Sequence, residues 1–172
     1  MNESDVKVTM REICRTVVVQ ATGPEVWDAF TTPEGIQTFF APAAHVEMKP
    51  GGAYELYFDP DAPEGERGSE GCLLREFEAP RFLTFSWSFP PAIPRLRHSG
   101  ARALVSVHIQ DLSDGTSRVV ITHTGWQAGP DWEEGLRYFQ RAWSLVLARL
   151  ERRFAEGPID WSDPWVPDEL RA

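Results

Sequence analysis

DWEEGLRYFQRAWSLVLARLERRFA, residues 131–155, reads as one long helix with a single apolar stripe. Leu136, Phe139, Trp143, Val146, Leu147, Leu150 and Phe154 recur at spacings of three and four, while Glu133, Arg137, Arg141, Arg149 and Arg152 fall mostly elsewhere. Gly157-Pro158 supplies the stop. Such a stripe must be buried against another layer, and the residues upstream indicate what that layer is.

Working back from the helix, 101–112 and 116–124 read as two strands around Ser113-Asp114-Gly115, where Asp-Gly is a strong hairpin signal. Residues 81–88 alternate Leu83, Phe85 and Trp87 with Thr84 and Ser86, which predicts a strand with one heavily apolar face. Ala79-Pro80 joins it to a strand over 69–78. Two further strands, 45–49 and 53–59, flank a Pro50-Gly51-Gly52 turn, and 60–68 and 89–100 read as irregular loops. Pro24 to Thr31 and a second segment from Pro33, with Thr32 as its cap and Ile36, Phe39 and Phe40 on it, predict two short helices. The β-branched run 6–21 predicts a long first strand. The tail from Ile159, with Trp161 and Trp165, reads as extended.

The order is therefore strand, two short helices, about six antiparallel strands, one long helix. Layer logic lays that helix across the concave face of the sheet, an α+β architecture. A chain of 172 residues can bury such a core without disulfides or metals. Cys14 and Cys72, far apart and each within an expected strand, read as small buried hydrophobes rather than a disulfide. The 26 acidic residues against 17 basic ones give a net charge of −9, which argues against nucleic acid and anionic membranes as partners. The polar start Met1 to Lys7 lacks the order of a signal peptide and no long apolar run occurs, so a cytoplasmic location is expected. The Asn2-Glu3-Ser4 triplet then has no glycosylation role.

Several short motifs occur in a telling order. They are Pro24-Glu25-Val26-Trp27-Asp28-Ala29-Phe30-Thr31-Thr32-Pro33-Glu34, Phe39-Phe40-Ala41-Pro42, Pro50-Gly51-Gly52, Gly71 followed by 76–80, and the runs 81–87 and 115–126. Over roughly residues 8–155 this pattern resembles the START-like (SRPBCC) superfamily, and within it the proteins related to the activator of the heat-shock-protein-90 ATPase (AHSA1-like). The resemblance implies a helix-grip, Bet v 1-like fold: a curved antiparallel sheet of about six or seven strands around a long C-terminal helix. Residues 1–172 are then expected to form one domain, with a core of 8–155 and a tail of 156–172. Where many relatives carry Trp-Phe, this chain has Phe39-Phe40, which changes the shape of a pocket wall without removing it.

The fold hosts lipid carriers, receptors, cyclases and chaperone co-factors, so it does not by itself select a function. Trp27, Phe39, Phe40, Tyr54, Phe58, Phe85, Trp87, Phe139 and Trp143 come from elements that should converge on the concave space. They either line a cavity for a small apolar or aromatic molecule, as the resemblance implies, or fill a solid core. In the cavity reading Phe139 and Trp143 form its helical lid. His123 alternates with Val119 and Ile121, so it points inward, as a polar contact, a base near neutral pH, or simply a hydrogen-bonded core residue. The histidines and cysteines lack metal-ligand spacing, and the acidic stretch 59–70 has Glu64 where a calcium loop needs glycine. No cofactor is expected, and no coupled nucleophile and base marks an enzyme.

Three functions stay open: binding of a hydrophobic ligand, a chaperone-associated or stress-response adaptor role as the resemblance implies, and a cofactor-free cyclase, dehydratase or hydrolase. A homodimer is compatible with each. The 90–97 loop and the Trp161–Trp165 tail form an interaction surface, or else the tail folds back on its own domain to cover a seam.

Overall fold

The computed structural model describes residues 11–171. Strand β1 (Ile13–Val19) lies in the second half of the run 6–21 expected for it. Val6 to Met10, the Met1 to Lys7 start and the Asn2 triplet lie outside the described residues. Helix α1 (Gly23–Thr31) follows at once, with Thr22 Oγ1 accepting from the Glu25 amide and the Asp111 carboxylate from the Gly23 amide at 2.9 Å. Helix α2 (Pro33–Gln37) starts on the Thr32 hydroxyl, which accepts from Gly35 at 2.9 Å. Only glycine fits at 35, because a Cβ there would stand 2.2 Å from the Asp28 carbonyl oxygen. Phe39 and Phe40 follow α2 in the next turn instead of extending it.

Strands β2 (Ala43–Val46) and β3 (Tyr54–Tyr57) form a hairpin across the Pro-Gly-Gly turn. The hairpin is joined to β4 (Leu74–Glu78) by an Ala53–Leu73 bridge and by bonds such as Tyr54 N to Cys72 O at 2.8 Å. β5 (Phe82–Trp87), β6 (Ala103–Asp111) and β7 (Ser117–Thr124) complete a five-stranded antiparallel sheet in the order β1-β7-β6-β5-β4. Alternation is strict on β6 and β7: Val105, Val107, Val119, Ile121 and His123 are buried, while His108 and Arg118 face out.

Helix α4 (Pro130–Glu156) runs about 40 Å at 1.5 Å per residue and buries Leu136, Phe139, Trp143, Leu147 and Leu150 against the sheet. Val146 and Phe154, expected on the same stripe, are only partly buried. The segment 89–100 is not wholly irregular. It contains a short helix, α3 (Pro94–His98), whose Leu96 packs near Gly135 of α4. Cys72 is buried as expected but Cys14 is exposed, because its side chain alternates onto the outer face of β1.

The tail folds back on its own domain. Ile159 N donates to Thr38 O at 2.9 Å and Trp161 Nε1 to Gln37 O at 2.6 Å, while Arg149 lies over the Trp161 ring and Arg152 over that of Trp165. It ends in a 3₁₀ turn at Asp168–Leu170, not in extended chain. The 90–97 loop is likewise anchored inward. The Arg97 side chain, 9% exposed, donates to Phe89 O at 2.7 Å and to Gly65 O, and pairs with Glu70 at 3.3 Å. Burial pushes the Glu70 carboxyl up, but the amides of Arg67 and Gly68 outweigh it and hold it below its ordinary range. Glu70 is thus bonded to its own loop and to Arg97, and no group of three or more potential metal ligands occurs among the described residues. Arg97→Ala is expected to lower stability by about 3 kcal/mol, as for breaking a largely buried pair. Urea unfolding measures this, together with faster proteolysis within 60–68.

Candidate ligand-binding site

The sheet's concave face and α4 meet in a continuous set of rings. Tyr54 lies tilted against Phe85 at 4.3 Å, Phe85 abuts Trp87 at 5.3 Å, and Trp87 meets Trp143 at 5.8 Å and Phe40 at 6.1 Å. Phe139 stacks on Trp143 at 6.0 Å. Tilted and edge-on contacts of this kind favour aromatic pairs beyond the area they bury.

Behind these rings sits His123, fully buried. Its Nδ1 accepts from the Trp143 indole N–H at 2.9 Å, and its own carbonyl accepts from Trp126 Nε1 at 2.9 Å. An indole nitrogen only donates, so Nδ1 is the unprotonated nitrogen and the neutral ring carries its proton on Nε2. Nε2 has no hydrogen-bond partner among the described residues. Burial pushes the imidazole down to about 3, so it stays neutral throughout the physiological range. A base working near neutral pH is thereby overturned for His123, and its acceptor is already engaged by Trp143.

Beside the ring set lies a cavity of about 620 Å³ between one flank of α4 and the segments 58–69 and 87–91. Five of the expected residues, Phe40, Phe58, Trp87, Phe139 and Trp143, stand on its wall. The other five do not. Phe39 packs behind Phe40 against Phe30, and Trp27 pairs with Phe77 at 6.3 Å. Tyr54 and Phe85 are fully buried in the core beneath, with the Tyr54 hydroxyl donating to Phe30 O at 2.8 Å, and His123 lies behind Trp143. The Phe39-Phe40 pair therefore shapes the wall through Phe40 alone.

The second face of α4 completes the wall with Tyr138, Ala142, Val146 and three arginines, 137, 141 and 149. The helical period sets those arginines off the buried stripe and says nothing of what they face. Their spacings of four and eight residues, alongside Tyr138, Ala142 and Val146, are the one local signal that could have shown a second facing surface. At the mouth Phe58 and Tyr138 remain 47% and 44% exposed, two of the five large hydrophobics so exposed among the described residues.

A helix-gripping sheet with a cavity along the helix defines a START-like protein. The family described as Activator of Hsp90 ATPase homolog 1-like protein matches residues 20–155, and the chain belongs to it. Solved structures with the same fold include the Aha1 dimer from Colwellia psychrerythraea, at 14% identity and a TM-score of 0.66, covering 86% of this chain and 98% of that one. An HSP90 activator from Plasmodium falciparum matches at 18% and 0.60, over 81% and 93% of the two chains. CalU16 from Micromonospora echinospora matches at 21% and 0.60, over 87% and 77%. At these identities the likeness establishes fold alone. No curated protein matches the sequence.

Among the described residues no helix is long and apolar enough to cross a membrane.

Proposed function

We propose that the chain is one START-like domain that binds a small apolar or aromatic molecule in the cavity along α4. The observation that carries this reading is the cavity itself, about 620 Å³ and walled by Phe40, Trp87, Phe139 and Trp143, with two exposed aromatics at its mouth. That volume is typical of small-molecule sites, which combine apolar walls with a few polar groups. No catalytic activity is assigned, since the buried imidazole is neutral and engaged.

Paired native and denaturing mass spectra of the purified protein test the reading. A mass lost on denaturation is the expected result, and the native spectrum also reports whether a homodimer forms. Ala142 lies half-buried on the wall, so Ala142→Phe should project a ring into the cavity and obstruct part of it. The bound mass is expected to disappear, or affinity to fall about tenfold or more, by steric exclusion. An unchanged melting temperature would show that the fold is intact, and undiminished binding in that variant would refute the site.

A second reading, as a co-factor of a heat-shock-protein-90 chaperone, is favoured by the family match and by the HSP90 activator among the structural neighbours. Stimulation of the chaperone's ATPase by the purified chain tests it. No stimulation and no complex would end it.

A further inference from the structure

The sequence carries a formal charge of −9, yet the cavity wall reverses that balance: Arg67, Arg137, Arg141 and Arg149 stand against only Asp59 and Glu66. None of these six residues forms an ion pair among the described residues. The arginines that do pair with carboxylates are Arg11, Arg81, Arg97, Arg152 and Arg171. Three of the cavity's guanidiniums donate only to neutral carbonyls: Arg67 to Ala62 at 3.0 Å, Arg149 to Trp165 at 2.9 Å, and Arg141 to Leu170. The Arg137 side chain makes no hydrogen bond or ion pair among the described residues.

Arg137 and Arg141 are four apart on α4, so like charges share one stretch of the rim and repel. That arrangement gains from an anion bound between them. A guanidinium fork offers a carboxylate two parallel donors, and such charge-assisted bonds are roughly twice as strong as neutral ones. More deeply buried than these two arginines, the same wall carries Trp87, Phe139 and Trp143, whose rings suit an apolar or aromatic body.

We propose that the cavity's ligand is an amphipathic organic acid. Its aromatic or alicyclic body lies against the Trp87–Trp143 wall and its carboxylate at the rim between Arg137 and Arg141. This rests on the cavity reading above and deepens it by naming the ligand's polar end.

The test compares 4-(1-naphthyl)butanoate with 4-(1-naphthyl)butan-1-ol, which share a body and differ in charge, by calorimetric titration at pH 7.5. The acid is expected to bind about tenfold more tightly, with the gap narrowing as salt is raised. In an Arg137→Gln/Arg141→Gln variant the acid's advantage should vanish, the two compounds binding within about threefold of each other. Equal affinities for the wild-type protein would overturn the inference and leave the cavity standing. A preference that survives the double substitution would overturn the assignment to Arg137 and Arg141. Binding of neither compound would overturn the cavity reading itself.

Discussion

Trp143→Ala is expected to lower the unfolding free energy by about 4 kcal/mol or more, the upper range for truncating a buried aromatic ring. The side chain is 1% exposed and among the largest fully buried ones. Its ring meets Phe40 and Phe139 at 6.0 Å and Trp87 and His123 at 5.8 Å, so four neighbouring rings would border the hole. Truncation also deprives His123 Nδ1 of its donor, and a buried polar atom left unpaired costs a further ~1–3 kcal/mol. Against a typical total stability of about 5–15 kcal/mol, the variant would retain little. Trp143→Phe keeps most of the packing and loses only the hydrogen bond, so a loss of about 1–3 kcal/mol is expected. Urea unfolding of both variants checks the pair, and a loss below about 1 kcal/mol for alanine would show that the ring is not part of the core. For the same reason Trp143 is a poor probe of ligand binding, and Ala142 a better one.

The second large effect is a dependence on pH. His123 is near 6.5 in the unfolded chain and about 3 in the folded one, with burial as the cause. Between those values the unfolded chain binds one more proton than the folded one. Stability from this group is therefore complete above pH 6.5 and is lost progressively as pH falls toward 3. The slope approaches about 1.4 kcal/mol per pH unit inside that window. His123→Asn presents an amide oxygen near the position of Nδ1, so it keeps an acceptor for the Trp143 indole and removes the titration. Urea midpoints at pH 7, 6, 5 and 4 should fall steeply for the wild type and much less for the variant. Below about pH 4.5 the Glu70 carboxyl, held low in the fold, adds a loss of its own that both proteins share. Parallel curves over pH 6–5 would assign the acid lability to another group.

Inward and outward faces were largely legible in the residues themselves. The placement of His123 with Val119 and Ile121 follows from the period of two on β7, and Leu136, Phe139 and Trp143 from the period near 3.6 on α4. His123's environment was not legible. Whether an inward imidazole meets solvent, ligand or an indole depends on α4, twenty residues away in sequence, delivering Trp143 Nε1 to within 2.9 Å of it. The same limit divided the aromatic set. Tyr54 and Phe85 look like wall residues by pattern, but the β3–β4 connection brings the two rings to 4.3 Å and closes them into core.

The sequence by itself determined the element order, the Asp-Gly hairpin, the buried stripe of α4 and the resemblance to a helix-grip family, because each is written in local periodicity, turn chemistry or short motifs. Only the tertiary structure decided that Arg137, Arg141 and Arg149 face a cavity rather than open solvent, that the Trp161–Trp165 tail is a flap on its own domain, and that Arg97 ties two loops together. A cavity is the volume that packed elements leave between them. It is fixed by how distant segments meet, and no period within a single element encodes it.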